Sequence, residues 1–165
     1  MKGLRVLIFC ILWSLLVSCK TTGDVKVSDT VPQWATSAPK KDGMLCAVGT
    51  SEPTFYMEDA KLYAAENARK ELARSLNLKI KNIMIDITTE RGSQVDEGTL
   101  MEVSSWTTEV VLRESQIMEY WYDKDGVVSG RKGFTYALAC IPLAFTRKDV
   151  SHSPIPDGVL ERLKR

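Results

Sequence analysis

Alanine side chains recur at every fourth position in the middle of this chain, and this spacing limits the folds open to it more than any other feature. Ala60, Ala64 and Ala68 are followed at the same interval by Leu72 and Leu76. An α-helix turns once every 3.6 residues, so these five side chains share one face. Because alanine is small, such a face can lie close to a β-sheet. The pattern predicts a helix that packs on a sheet.

The residues before the alanines predict where this helix begins. Thr54 is a favourable N-cap residue, because its hydroxyl can accept a hydrogen bond from a free amide of the first turn. Glu58 and Asp59 would then lie near the positive end of the helix dipole. We expect the helix to begin directly after Thr54.

Four other segments have the apolar or β-branched character of strands. They are residues 44–50, 78–89, 117–123 and 134–141. In the second segment Ile83, Ile85 and Ile87 would share one face of a strand. The last strand would likewise place four side chains on one face: Phe134, Tyr136, Leu138 and Cys140.

Residues 99–112 fit two kinds of element. Leu100, Val103 and Val110 have helical spacing, whereas the run from Val110 to Leu112 favours a strand. Helix is the preferred interpretation, and the strand stays open. Further on, a Pro/Ser break at residues 151–156 precedes apolar residues that predict a short terminal helix: Val159, Leu160 and Leu163.

The first residues have the pattern of a secretory signal peptide. Lys2 and Arg5 form a short positive region, and an uninterrupted apolar run follows at residues 6–17. That run of about 12 residues is well short of the roughly 20 that a membrane-spanning helix needs. We therefore leave it out of the fold.

The apolar run ends in Leu16-Val17-Ser18-Cys19, which resembles a bacterial lipobox. The resemblance implies cleavage between Ser18 and Cys19, a diacylglycerol on the Cys19 sulfur and acylation of the new amino group. Several acyl chains on one residue would hold the protein firmly in a membrane. Residue 20 is Lys and not the Asp that marks retention in the inner membrane of enteric bacteria, so the outer membrane is favoured. The alternative is an ordinary signal peptide with a chance cysteine near its cleavage site.

Length and composition indicate one folded domain. The chain has 165 residues, of which 44% are hydrophobic, a content that argues against disorder. Its 22 Lys and Arg residues nearly balance 21 Asp and Glu residues, so the basic excess of a typical nucleic-acid-binding protein is missing. We divide the sequence into a signal peptide (1–18), a flexible tether (19–30), one domain (31–146) and a polar tail with a short terminal helix (147–165).

Nothing in the sequence has the pattern of a catalytic or metal site. His152, the single histidine, lies in the Pro/Ser break, where no packed neighbour would orient it for catalysis. The cysteines lack the spacing of a zinc motif, and no Gly-rich phosphate loop follows a predicted strand. We expect no catalytic residue, no metal and no cofactor.

Two cysteines remain for the folded domain once Cys10 is removed with the signal peptide and Cys19 carries lipid. Cys46 and Cys140 lie in predicted strands, and the compartment permits disulfides. If those strands are neighbours, a bond would close a loop of about 95 residues and contribute about 4–5 kcal/mol. Two buried free thiols are the alternative, and the sequence leaves both open.

Three consecutive aromatic residues, Tyr120, Trp121 and Tyr122, lie in a predicted strand. Neighbouring side chains of a strand point to opposite faces, so both faces of the sheet would be covered there. Packing in the core explains one face. The other is explained either by the second helix or by a protein partner, since aromatic residues are enriched at binding hot spots.

The order of these features resembles the Lpp-twenty family of bacterial outer-envelope lipoproteins. The match runs from about residue 32 to residue 143. The residues that carry it are Pro32-Gln33-Trp34, Ala47-Val48-Gly49, the helical segment from Ala64 to Ala73, Trp121 with the turn from Asp123 to Gly126, and Tyr136-Ala137-Leu138.

The resemblance implies a compact α/β domain in which a helix packs on a small, mostly antiparallel sheet. Together with the segments described above, we expect the α+β type, with an Ala-rich helix and a second helix packed on a sheet of about four strands. It also implies a non-enzymatic lipoprotein of the outer membrane, facing the periplasm or the cell surface. Some relatives form rings in the flagellar basal body. We expect a structural or assembly component that binds itself or other envelope proteins. A surface adhesin or antigen is the alternative, and an envelope hydrolase is less favoured.

Overall fold

The computed structural model describes residues 30–90, 92, 94–144, 155 and 157–163, which form four helices and three strands. The predicted signal peptide, the predicted lipobox with Ser18 and Cys19, and His152 lie outside these residues. In chain order the elements are α1 (Gln33–Thr36), β1 (Met44–Ser51), α2 (Met57–Glu90), α3 (Glu97–Glu114), β2 (Gln116–Asp123), β3 (Phe134–Pro142) and α4 (Asp157–Leu163). The predicted α+β class is confirmed.

The three strands form an antiparallel sheet in the order β1–β3–β2. β3 lies in the middle and is buried along its whole length except at Pro142. The expectation of about four strands was wrong by one, because the described residues contribute three. β1, β2 and β3 correspond to the predicted strands at residues 44–50, 117–123 and 134–141.

Residues 78–89, predicted as the fourth strand, are helical instead. They form part of α2, which is 34 residues long. The buried face of its first half continues through Ile80, Met84 and Ile87 at intervals of three and four residues. Ile85, in contrast, is 49% exposed, so the alternation of isoleucines does not mark one face. Burial of a helical stripe against neighbouring elements outweighs the β-propensity of isoleucine here.

The two long helices begin in different ways. α3 confirms the preferred helix at residues 99–112, and Asp96 caps it by accepting a hydrogen bond from the Thr99 amide at 2.9 Å. Hydrogen bonds from Thr99 lower the pKa of Asp96. Thr54 does not cap α2, because that helix begins at Met57 and the Thr54 hydroxyl donates to the Tyr56 carbonyl at 2.5 Å.

The main core lies between α2 and one face of the sheet. Ala64, Ala68, Leu72 and Leu76 are fully buried there. Val103, Val110 and Val111 of α3 belong to the same core, and Ile155, Val159 and Leu163 join it from the end of the chain. The predicted terminal helix is confirmed as α4, and it packs on the same core as the sheet.

A second, smaller core covers the opposite face of the sheet. Phe134, Tyr136, Leu138 and Cys140 lie on this face, as the alternation in β3 predicts. The short helix α1 covers them with Trp34 and Ala35. Both faces of the sheet are therefore occupied by residues of the chain itself.

Candidate interaction surface

The three consecutive aromatic residues of β2 do not form one exposed surface. Trp121 is only 3% exposed and lies in the second core, with its ring centroid 5.2 Å from that of Tyr136. Tyr120 is half-buried and packs on the main core, on the opposite face of the sheet. Tyr122 is also half-buried. These residues mainly fill the two cores, and Trp34 adds a hydrogen bond from its indole Nε1 to Glu119 at 2.8 Å.

Cys46 and Cys140 lie directly opposite each other on β1 and β3. The structure joins them in a disulfide, with an S–S distance of 2.07 Å and a Cα–Cα distance of 4.1 Å. The two residues are separated by 94 positions in sequence, so the bond ties an edge strand to the central strand. This arrangement corresponds to the paired alternative, in which the two strands are neighbours.

Asp123 organises the long β2–β3 loop although only 1% of its surface is exposed. Its carboxylate oxygens accept hydrogen bonds from the amides of Val127, Val128 and Ser129, at 2.8, 2.9 and 3.5 Å. Burial by itself raises the pKa of Asp123, but the amide hydrogen bonds of the loop outweigh burial and lower the pKa below its ordinary value. The carboxylate therefore holds the loop in its charged form.

Replacing Asp123 with alanine is expected to lower the free energy of unfolding by about 2–4 kcal/mol, because several loop amides lose their acceptor. The folded-state pKa is lowered, so the stabilisation is present in full above the unfolded-state pKa of about 4 and is lost as pH falls through the folded-state value. The difference in the free energy of unfolding between wild type and Asp123→Ala, measured by urea titration, should therefore become smaller below about pH 4.

Asp125 provides the matched control for this measurement. It lies in the same loop and its side chain is exposed, so Asp125→Ala should change stability by less than about 0.5 kcal/mol. Equal losses in the two variants would show that general loop charge, and not the buried carboxylate, is responsible. If the stability difference between wild type and Asp123→Ala stays constant at low pH, the charged carboxylate of Asp123 is not what stabilises the loop.

Of the eleven large apolar side chains that are exposed in the described part of the chain, five lie where α2 begins. Phe55 is 93% exposed and Tyr56 is 64% exposed, and their rings meet edge to face at a centroid distance of 4.9 Å. We call Phe55 and Tyr56 the aromatic tip. Leu62 and Tyr63, within the first two turns of α2, are also about half exposed. Sequence reasoning missed this surface, although Phe55 and Tyr56 fall outside the alanine face and before the helix.

A groove of about 490 Å³ lies next to this surface, between α2 and α3. Five residues of α2 and three of α3 line it: Leu62, Glu66, Arg69, Lys70, Ala73, Thr108, Val111 and Leu112. Most of the lining is apolar, and Leu112 is 65% exposed. Arg69 adds a cation whose Nε is buried and meets no hydrogen-bond partner among the described residues.

Within the described ranges, no group of three or more His, Cys, Asp or Glu side chains is placed to hold a metal ion. None of the helices in those ranges is both long enough and apolar enough to cross a membrane. Comparison with known proteins found no matching family model, no matching curated protein and no matching solved structure.

Proposed function

We propose that this chain is a non-enzymatic lipoprotein, anchored in the outer membrane through Cys19, that acts by protein–protein contact as a structural or assembly component of the cell envelope. The flagellar basal body is one assembly of this kind. The observation that carries the proposal is the aromatic tip, with Phe55 at 93% exposure on an otherwise well-packed domain. The lipobox and the resemblance to the Lpp-twenty family add the anchor and the compartment.

An exposed aromatic pair favours contact with a partner for a physical reason. Burying apolar surface contributes about 25 cal/mol per Å², so a phenylalanine left in water forgoes roughly 1.5–3 kcal/mol. Large aromatic side chains are also enriched among the few residues that dominate binding energy. The domain fills both faces of its sheet with its own residues, and the apolar surface at the tip and on the adjoining helix face is left free.

Chemical crosslinking in native membranes, followed by identification of the crosslinked proteins, tests this proposal. We expect envelope proteins or further copies of the chain in the wild-type sample. Phe55→Ser should lose most of these products, because it removes the exposed ring without disturbing either core. Met101→Ser is the matched control, since Met101 is 69% exposed on α3 and lies away from the tip. Loss in both variants, or in neither, would contradict a role of the tip.

Two further experiments test the lipid anchor and the alternative function. Labelled palmitate should enter wild type and not Cys19→Ala, and equal labelling would contradict the lipid anchor. Recovery of no envelope protein, together with removal of the domain by protease added to intact cells, would favour the surface adhesin instead.

A further inference from the structure

We propose that the outer edge of β1 is a second binding site, at which an extended segment of another envelope protein pairs with β1 as an additional strand of the sheet. The site does not include the aromatic tip, so it goes beyond the proposed function and rests on it only for the compartment of the partner. The free edge of β1, the direction of its backbone groups and the groove beside it carry the proposal.

β1 lies at one edge of the sheet, and the described residues place a neighbouring strand on its inner side only. The pairing with β3 runs without a bulge through all eight residues, from Met44 opposite Pro142 to Ser51 opposite Thr135. The outer side of such a regular strand presents a row of backbone N–H and C=O groups, with which another extended chain can pair. β1 therefore has the shape and the chemistry to accept a further strand.

The spacing across the pair shows which residues of β1 direct these groups outward. The Cα atoms of Cys46 and Cys140 are 4.1 Å apart. Opposite residues of an antiparallel pair are this close where they exchange no hydrogen bonds, whereas hydrogen-bonded residues lie about 5.5 Å apart. The N–H and C=O groups of Cys46 therefore point away from β3, and so do those of Val48 two residues later. The Gly43 carbonyl, which accepts a hydrogen bond from the Leu143 amide at 2.8 Å, fits the alternate set that points inward.

At both ends of β1, outward-pointing groups are already bonded by the chain itself. The Thr50 carbonyl accepts a hydrogen bond from Asn67 Nδ2 at 2.8 Å. The Met44 amide donates to the Lys41 carbonyl at 3.1 Å. The outward groups of the two residues between these ends meet no hydrogen-bond partner among the described residues. Two N–H donors and two C=O acceptors are thus left for an added strand.

A groove of about 300 Å³ follows this middle stretch of β1, and we call it the edge groove. Residues 46–48 form its floor, residues 35–38 form one wall, and Glu71 and Ser75 of α2 form the other. Most of the wall side chains are small, since they are those of alanine, serine and threonine. Such walls leave room for the backbone of a strand at the usual distance of about 4.8 Å from β1.

The middle of β1 is well covered for an edge strand. Cys46 is only 9% exposed and Ala47 is 6% exposed. The unpaired backbone groups of Cys46 therefore belong to a residue that has little contact with water, and such groups are costly unless they find hydrogen-bond partners. An added strand in the edge groove would supply these partners.

A second copy of this chain is a poorer occupant than a free segment. Its own β1 lies between α1 and α2 in the same way, so two such edges cannot approach to strand spacing. Its β2 has a bulge between Ile117 and Glu119, and further along the Tyr122 carbonyl already accepts a hydrogen bond from the Lys124 amide at 3.1 Å. Bulges of this kind keep edge strands from pairing with other sheets. The described residues therefore favour a thin extended segment of a different protein.

Strand pairing also determines the side chains that the segment needs. Opposite Cys46 and Val48 in an antiparallel pair, its side chains point toward α1, where Ala35 and Ala38 leave room for valine or threonine. The side chain between them points toward Ser75 of α2 and is suited to be polar. Proline is excluded at the paired residues, because it has no N–H to donate.

Hydrogen exchange of single amides, measured by NMR on the full-length lipidated protein in detergent micelles, tests the strand pairing. The probe is a synthetic peptide of about eight alternating valine and threonine residues with a lysine at each end. Excess peptide should slow exchange of the Cys46 and Val48 amides at least about tenfold, because both become paired. The Ala47 and Gly49 amides already bond to β3 and should change by less than about twofold. The same peptide with N-methyl groups on its central residues should protect neither set.

Val48→Pro tests the site from the side of the protein. Proline removes the outward N–H of residue 48 and leaves the hydrogen bonds to β3 in place, and it is tolerated at edge positions of this kind. The variant should raise the Kd of the probe peptide at least about tenfold. Val48→Thr is the matched control, since it keeps the N–H and a β-branched side chain, and it should leave the Kd within about twofold of wild type. If Val48→Pro does not fold, the comparison of the two peptides on wild type decides.

Photocrosslinking in native membranes identifies the natural occupant. A benzophenone amino acid at position 75, which is exposed on the α2 wall, should crosslink to an extended, proline-free segment of another envelope protein. Val48→Pro should reduce this product at least about fivefold, whereas Val48→Thr and Phe55→Ser should not reduce it. The same probe at position 101 on α3 is the control and should yield little of the product.

The other possible results each overturn a stated part of the proposal. Protection of both sets of amides, equal protection by the N-methylated peptide, or an unchanged Kd for Val48→Pro overturns strand pairing and leaves the proposed function intact. Crosslinks from position 75 to a second copy, to the chain's own tether or to no protein overturn the foreign partner. Crosslinks that depend on Phe55 and not on Val48 would assign the partner to the aromatic tip and overturn a separate edge site. If the edge-dependent product persists while products that depend on the tip are missing, the proposed role of the tip fails and the edge site stands.

Discussion

Replacing Gly49 with valine is expected to prevent the domain from folding, and alanine at the same position should cost at least about 4 kcal/mol of stability. Gly49 lies on β1 where the strand crosses α2 at the alanine face. A Cβ atom on Gly49 would lie 2.0 Å from the Ala68 nitrogen and 2.5 Å from the Ala64 carbonyl oxygen. These are backbone atoms, which no change of rotamer can move. Soluble yield and urea titration followed by circular dichroism measure the loss.

The effect is large because the backbones of β1 and α2 are already in close contact at Gly49. To admit one methyl group, α2 would have to move away from the sheet and open the main core along its whole alanine face. Ala68→Gly should not rescue Gly49→Ala, because the clash is with the backbone of residue 68 and not with its side chain. Rescue by Ala68→Gly would show that the side chains, and not the backbones, limit the approach.

Gly158 in α4 is the matched control for a glycine-to-alanine change. Among the described residues, the atom nearest to a Cβ added there would be the Ile87 Cδ1 at 4.0 Å, and Gly158 is exposed. Gly158→Ala should therefore be neutral or stabilise the helix by about 0.5–1 kcal/mol. A loss comparable to that of Gly49→Ala would contradict the steric explanation.

The alanine face shows what local spacing can predict. Its positions follow from the helical repeat alone, and Ala64, Ala68, Leu72 and Leu76 are indeed buried. β3 was predicted for a similar reason, because alternation along a short segment needs no knowledge of its neighbours. The match of Phe134 and Tyr136 to one face of β3 depends only on the pleat.

The second half of α2 shows where local spacing fails. The isoleucines of residues 78–89 fit an alternating strand and a helix at the same time. Ile80 and Met84 are buried only because the helix continues beside α3 and α4, which is a fact of tertiary packing. β-Branched residues reduce helix propensity by only a few tenths of a kcal/mol, so packing decides between the two structures.

The candidate surface lay beyond sequence reasoning for a related reason. The consecutive aromatics of β2 drew attention, yet Trp121 is core and the exposed ring is Phe55. Exposure depends on which residues cover a position, and this information is distributed over the whole fold. The same holds for the cysteines, whose pairing depends on β1 lying next to β3.

Removing the disulfide with Cys46→Ala and Cys140→Ala together is expected to lower the free energy of unfolding by about 4–5 kcal/mol while the native fold persists. The bond joins residues that are 94 positions apart, so it greatly restricts the unfolded chain, and in the chain-entropy model a loop of that length is worth about this much. Urea titration with and without reductant measures the difference. Reductant should remove most of this stabilisation from wild type and should leave the free energy of unfolding of the double variant unchanged.

The fold should survive this loss because β1 is held in two other ways. Its whole length is paired with β3, from Met44 opposite Pro142 to Ser51 opposite Thr135, and Ala47 lies in the main core. Thiol labelling of the unfolded, non-reduced protein gives an independent check, since the disulfide requires that Cys46 and Cys140 stay unlabelled. Two reactive thiols together with an unchanged unfolding midpoint on reduction would mean that the strands alone, and not the bond between them, hold the edge of the sheet.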